Sequence, residues 1–151
     1  MLPLFLALER RFLLKIRQSD DTIYTVKKGN KMNKQIGKVT KKTSELLGLD
    51  YQDEKPIFIG EANIAHMKEE HPEDYKKYGS KISEIIVNPT YLARNEKKKS
   101  IEYIKEYKVD NEYVLVAVRV SNNDVHFART MYVMADEKVE RYKRHNYFYK
   151  V

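Results

Sequence analysis

The chain has 151 residues, of which 42% are hydrophobic, and this size suits one domain with its own core. It contains no cysteine, which excludes disulfides and thiolate metal sites and favours a cytoplasmic location. Lysine and arginine total 29 against 22 acidic residues, and the net charge of +7 favours an anionic partner such as nucleic acid, although such a charge also serves solubility alone.

Residues 1–31 are expected to form an N-terminal extension, a partner-binding segment, or sequence upstream of a true start. Apolar residues recur every three or four positions between Leu2 and Ile16, which predicts an amphipathic helix, and Thr22–Val26 predicts a short strand. No stretch supplies the roughly 20 apolar residues of a membrane-spanning helix. We therefore expect a soluble protein without a membrane partner.

Residues 32–151 are predicted to form the domain itself, beginning with short strands and helices. The helix that opens after Gly60 should end at His71, because the residue before Pro72 is disfavoured in helical geometry. The other predicted elements of this half are a strand Gln35–Val39, a helix from Thr40 or Thr43 to Leu47, a strand Pro56–Ile59, a short helix Pro72–Tyr78, and a helix with Ile82, Ile85 and Ile86 on its apolar face.

The second half of the chain changes from a helical period to the alternation of strands. The predicted elements are strands Ile101–Tyr107, Tyr113–Val120 and Val125–Val133, and a final helix from Asp136 to about His145. Helices followed by an antiparallel meander predict an α+β domain.

Alternation within the predicted hairpin groups several polar side chains. With an even number of loop residues after Ser121, Arg119 shares one exposed face with His126, Ala128, Thr130 and Tyr132. The opposite face carries the valines and is expected to be the core, with Arg129 placed awkwardly among them. An odd loop would exchange the faces.

Lys105 lies on the strand before this hairpin. A three-residue turn near Asp110 would bring it to Arg119, whereas another turn length would leave it as a solvated charge.

Two histidines lie in one predicted helix. His71 continues the apolar stripe of Ile64 and Met67, whereas His66 points about 140° away from it. Each can be a functional group that titrates near neutral pH or a packing or surface residue. Their spacing does not place two imidazoles on one zinc ion, so no metal or other cofactor is expected.

The order of several short motifs resembles the phage-type branch of the Barnase-EndoU-colicin-RelE (BECR) nuclease superfamily, over roughly Ile36 to Lys150. The motifs are Ile57-Phe58-Ile59, His66, His71-Pro72, Ile82 to Pro89, Ser100-Ile101, Val118-Arg119-Val120 and Phe127-Ala128-Arg129-Thr130. The resemblance implies an α+β domain in which N-terminal helices pack on an antiparallel sheet of about four strands.

The resemblance further implies a metal-independent ribonuclease of phage or mobile-element origin. Its expected partners are RNA and, in addition, a protein inhibitor or another phage protein. It implies catalytic roles for His66, His71, Arg119 and Thr130. The expected substrate contacts are Lys105, His126 and Tyr132. The histidines would transfer protons, His71 with His66 or His126 as its counterpart, and the arginine and threonine would hold the phosphate.

Two alternatives stand beside the enzyme. The same fold can act as an inactive module that binds nucleic acid or protein, and the chain can be a phage accessory protein whose basic N-terminal region binds a partner.

Overall fold

A computed structural model describes the backbone of residues 13–18, 21–28, 31–120 and 124–151, and the side chains of residues 33–120 and 124–151. Over these ranges the helices, named α1 to α5, are Lys41–Leu47, Glu61–Glu70, Pro72–Tyr78, Ile82–Val87 and Asp136–Arg144. A 3-10 turn, Gly79–Lys81, joins α3 to α4. Within the described ranges, no helix has both the length and the apolar character needed to cross a membrane.

The strands of the described ranges form one sheet. They are β1 Leu13–Gln18, β2 Asp21–Lys28, β3 Lys31–Val39, β4 Lys55–Gly60, β5 Tyr91–Asn95, β6 Ser100–Tyr107, β7 Glu112–Val120, β8 His126–Val133 and β9 Tyr149–Lys150. Their order across the sheet is β1-β2-β3-β4-β8-β7-β6-β5-β9. The seven strands β3 to β9 form the part of the sheet whose side chains are described.

The α+β class is confirmed, but the expected sheet is corrected in two respects. It has more than four strands, and it is mixed, because β4 and β8 pair in parallel. The antiparallel meander β6-β7-β8 is confirmed. The helices do not all precede it, since α5 follows β8. The short strand β5 was absent from the prediction.

At the N-terminal side, the predicted strand Thr22–Val26 is confirmed within β2. Residues 2–12 of the predicted amphipathic helix lie outside the described residues, and the prediction is wrong for Leu13–Ile16, which belong to β1. These residues pair with β2 from Leu13 opposite Val26 onward, so cross-strand hydrogen bonding takes the place of helical periodicity. Through β2 and β3, this hairpin continues the sheet of the domain.

Local chemistry explains the boundaries of the helices that carry the site. The Thr40 side chain accepts a hydrogen bond from the Thr43 N–H at 3.1 Å and caps α1, and Gly48 ends that helix in the left-handed conformation with φ of 66°. The Asn63 side chain accepts from the Gly60 N–H at 2.9 Å where α2 begins. His71 separates α2 from α3, as its place before a proline predicts.

One glycine permits a close approach between α4 and the sheet. A Cβ atom at Gly37 would lie 2.7 Å from Cγ2 of Ile86, which is too close for any larger residue without movement. The Ser83 hydroxyl donates to the Ile36 carbonyl at 2.7 Å beside this contact. The helix layer is thus held directly on β3.

Apolar side chains cover both faces of the sheet. The first layer lies between α1–α4 and the sheet and includes Leu47, Ile57, Met67, Ile85, Val114, Val116 and Val118. The second lies on the opposite face, where Val139 and Tyr142 of α5 pack with Ala93, Ile104, Leu115 and Ala117. The expectation of a single core face is therefore corrected, because α5 covers part of the other face.

Candidate functional site

A β-bulge determines which side chains β7 and β8 present together. One residue separates Ala117 from Arg119, whereas two separate their partners Thr130 and Phe127, and the unpaired extra residue is Arg129. Directly opposed residues of an antiparallel pair point to the same face of the sheet. Arg119, Phe127 and Thr130 therefore share one face.

Tyr132 extends this group, since it lies opposite Leu115, whose side chain points to the same face as Ala117 and Arg119. We call the surface formed by Arg119, Phe127, Arg129, Thr130 and Tyr132 the arginine face. Its place in the sheet is the part of the second face next to the α5 layer.

Two arginines of this surface flank one phenylalanine. Arg119 lies opposite Phe127, and the guanidinium carbon of Arg129 lies 6.0 Å from the centroid of the Phe127 ring. The Nε atoms of both arginines are buried, and neither has a hydrogen-bond partner within the described part of the chain. Each arginine thus has a buried donor without an acceptor in the described ranges.

The placement of Arg129 corrects the sequence prediction. Regular alternation put its side chain among the valines of the core face, but the bulge brings its guanidinium group onto Phe127 of the arginine face. A bulge re-aims a side chain in this way because one strand contains a residue without a partner.

His71 reaches the arginine face from the junction of α2 and α3. Its ring centroid lies 5.3 Å from that of Tyr132, with 34° between the ring planes. The Asp74 carboxylate accepts a hydrogen bond from the Val133 N–H at 3.0 Å, which fixes the start of α3 against β8. His71, Tyr132, Thr130 and Arg119 consequently follow one another along the same surface.

His66 is not part of this arrangement. Its side chain is exposed in α2, while Met67 next to it is fully buried in the helix layer. His71 is partly buried whereas His66 is exposed, which agrees with the angular separation expected between the two histidines.

His126 lies on the opposite face, and its predicted grouping with Arg119 is wrong. The bulge pairs it with Val120, its exposed fraction is 1%, and its Nε2 forms a 2.9 Å hydrogen bond with the Tyr51 hydroxyl. Burial lowers the pKa of His126, against a smaller opposing effect of the Asp124 charge. A histidine enclosed in this way belongs to the core.

Lys105 also lies away from the arginine face. The turn between β6 and β7 spans the four residues 108–111, so Lys105 lies opposite Val114 and points to the helix layer. Its ammonium group donates to the Asn88 carbonyl at 2.8 Å. The three-residue turn that would have joined it to Arg119 is therefore not formed.

A buried carboxylate lies beside the arginine face and was missed in the sequence. Glu102, with 3% exposure, lies opposite Ala117 and so points to the face of Arg119. The Tyr142 hydroxyl donates to its Oε1 at 2.7 Å and the Asn95 amide to its Oε2 at 3.4 Å. Burial and this bond to Glu102 raise the pKa of Tyr142. A glutamate between Ile101 and Tyr103, in the apolar first half of β6, was the available signal.

Lys138 of α5 approaches the other end of the arginine face. Its ammonium group donates a hydrogen bond to the Tyr132 hydroxyl and lies 4.9 Å from the centroid of that ring. Tyr132 is thus held between His71 and a cation. No group of three or more histidines or carboxylates in the described ranges has an arrangement that could hold a metal ion.

The sequence of the chain matches one known family of domains. Residues 34–141 match the family model described as phage-Barnase-EndoU-ColicinE5/D-RelE like nuclease 3. The match covers more than half of the chain, which therefore belongs to this family of nuclease-like domains. No curated protein and no solved structure shows a significant match to the chain.

Proposed function

We propose that this protein is an endoribonuclease that cleaves RNA by attack of the 2′-hydroxyl group, without a metal ion. The observation that carries the proposal is the pair of arginines beside Phe127, Arg119 and Arg129, whose buried Nε atoms have no hydrogen-bond partner in the described ranges. Partly buried guanidinium groups without an internal acceptor favour an anionic ligand, and a planar guanidinium binds a phosphate through two parallel donors. Membership of the nuclease-like family makes a phosphodiester the natural anion.

The reaction begins when a base takes the proton of the 2′-hydroxyl group, whose oxygen then attacks the adjacent phosphorus. The bond from phosphorus to the 5′-oxygen breaks, and this oxygen receives a proton from an acid. The products are a 2′,3′-cyclic phosphate and a free 5′-hydroxyl. Arg119 and Arg129 stabilise the negative charge that grows on the phosphorane oxygens, and the Thr130 hydroxyl donates a further hydrogen bond to one of them.

His71 is the proposed base, because it is the histidine that contacts the arginine face and an imidazole exchanges protons near neutral pH. Tyr132 is the proposed acid. Its oxygen already accepts a hydrogen bond from Lys138, which leaves its own proton to be donated to the departing 5′-oxygen. This assignment replaces His66 and His126 as the counterpart of His71, and gives Lys105 no part in cleavage.

The test is incubation of the purified protein with an RNA oligonucleotide in EDTA. We expect fragments that end in a 2′,3′-cyclic phosphate, identified by mass spectrometry. Two matched controls are the DNA of the same sequence and the 2′-O-methyl RNA, neither of which has the attacking hydroxyl group. Cleavage of either control, or a requirement for Mg²⁺, would contradict the mechanism.

A second candidate function is an RNA-binding module of the same fold without turnover. Of the three histidines predicted at the site, only His71 contacts the arginine face in the described part of the chain, and Glu102 is already bound by Tyr142 and Asn95. This module would bind RNA with an affinity that falls as salt rises, would yield no product, and would bind equally well as the His71→Ala variant.

A further inference from the structure

We propose that a groove at the edge of β5 holds a neighbouring nucleotide of the RNA, with its base against Tyr147 or Tyr149 and its phosphate on Arg141. This inference rests on the proposed action on RNA. The groove has a volume of about 550 Å³ and lies where β5, the end of α5 and the C-terminal residues meet. Its walls include Arg94, Asn95, Glu96, Arg141, Tyr147 and Tyr149.

Asn95, in the wall of the groove, points to the same face of the sheet as Arg119. Asn95 lies opposite Ser100, and Ser100 lies opposite Arg119, so all three point to the same face. Asn95 and Arg119 lie two strand spacings apart, so about 10 Å separates their positions in the sheet. At the rise of about 3.4 Å per nucleotide in a stacked strand, three nucleotides cover this span.

The aromatic side chains of the groove have the exposure that base stacking needs. Tyr147 is 49% exposed and Tyr149 is 44% exposed. The Tyr147 ring is held by a stacked contact with His145 at 5.4 Å and an edge contact with Tyr142 at 5.5 Å. A fixed and partly exposed ring offers a stacking surface that accepts any base.

The two arginines of the groove, Arg94 and Arg141, differ in the contacts that they make. The Arg94 guanidinium donates hydrogen bonds to the carbonyls of Leu47 and Gly48. It also lies 3.7 Å from the Glu96 carboxylate, so its charge already has a partner within the protein. Arg141 is exposed and forms no ion pair with any residue in the described ranges. The adjacent arginine and tyrosines favour single-stranded nucleic acid as the occupant of the groove.

A matched pair of arginines in the last turn of α5 tests the inference. Arg141 lines the groove, whereas Arg144 is also exposed but does not line it. Binding of a fluorescent 2′-O-methyl RNA octanucleotide is measured by anisotropy for the full-length wild type, Arg141→Ser, Arg144→Ser, Tyr147→Ala and Tyr147→Phe. Because 2′-O-methyl RNA lacks the attacking hydroxyl, this measurement does not depend on turnover.

We expect Arg141→Ser and Tyr147→Ala to weaken binding about tenfold, while Arg144→Ser and Tyr147→Phe stay within about twofold of the wild type. This result supports the groove even if the protein cleaves no RNA. Equal losses for the two arginine variants would show a general effect of charge and overturn the inference. Unchanged binding for Arg141→Ser would also overturn it and would not affect the cleavage proposal.

Discussion

The rings of His71 and Tyr132 lie 5.3 Å apart, and this contact joins the helix layer to the arginine face. His71 is the residue at which α2 ends, so its side chain reaches the sheet from a helix junction. Asp74, three residues later, holds the edge of β8 through the Val133 N–H. The position of the histidine is therefore set by backbone geometry on both sides.

Replacing this histidine tests its proposed role as the base. We expect His71→Ala to lower the rate of RNA cleavage by about 10²-fold to 10⁴-fold, because general base catalysis typically contributes that much. The matched control is His66→Ala in the same helix, which should stay within about threefold of the wild type. Initial rates on one RNA oligonucleotide measure both. Equal losses in the two variants would contradict the assignment.

The shape of the Arg119 side chain matters as well as its charge. We expect Arg119→Lys to lower kcat/KM by about 10-fold to 100-fold, because an ammonium group cannot make two parallel hydrogen bonds to one phosphate. Arg144→Lys, at an exposed position of α5, is the control and should leave kcat/KM unchanged. Wild-type activity in Arg119→Lys would mean that a positive charge alone is sufficient there.

His126 gives the folding stability a defined dependence on pH. Burial lowers its pKa from the ordinary value of 6.5, so the folded state favours the neutral ring. The contribution of His126 to the free energy of unfolding is complete above pH 6.5, the pKa of the unfolded state. It is lost as the pH falls through the lower pKa of the folded state, because the unfolded chain takes up the proton first. The free energy of unfolding in urea at about pH 7.5 and about pH 5 measures this loss.

We expect the wild type to lose more stability over this interval than His126→Gln, which has no titrating ring and can still bond to the Tyr51 hydroxyl. The comparison removes the contribution of the carboxylates, which titrate in both proteins. An identical loss in the two proteins would show that His126 is not responsible.

The contact between Tyr142 and Glu102 attaches α5 to the sheet. Tyr142→Phe removes the donor of the 2.7 Å bond to a buried carboxylate, and we expect it to lower the free energy of unfolding by about 1.5–3 kcal/mol. Tyr149→Phe removes a more exposed hydroxyl and should change stability by less than about 0.5 kcal/mol. Urea unfolding measures both values, and a loss of equal size in the two variants would argue against the buried bond.

The sequence predicted most of the elements because their signals are local. The cap at Thr40, the glycine after Leu47 and the proline after His71 fix helix boundaries through the residue itself or its neighbours. Alternation identified β6, β7 and β8 for the same reason. The strand β5 was not predicted because it has only five residues and is recognised by its pairing with β6, which is not a local signal.

The composition of the site was harder to predict because it depends on pairing between strands. His126 was grouped with Arg119, and Arg129 with the valines, by an alternation that was correct for a regular strand. No residue type at Ala128 or Arg129 marks a bulge, so the register could not be read from the sequence. The burial of Glu102 depends in turn on Tyr142, which is 40 residues away in the chain.

The bulge also has an evolutionary consequence. Arg129 is the one residue between the paired positions Ala128 and Thr130 that has no partner in β7. A chain without it would keep every pair of β7 and β8 and the same two faces, but would carry one guanidinium group fewer beside Phe127. The insertion of a single codon at this position would therefore add a second arginine beside Phe127 while the pairs of β7 and β8 stay the same.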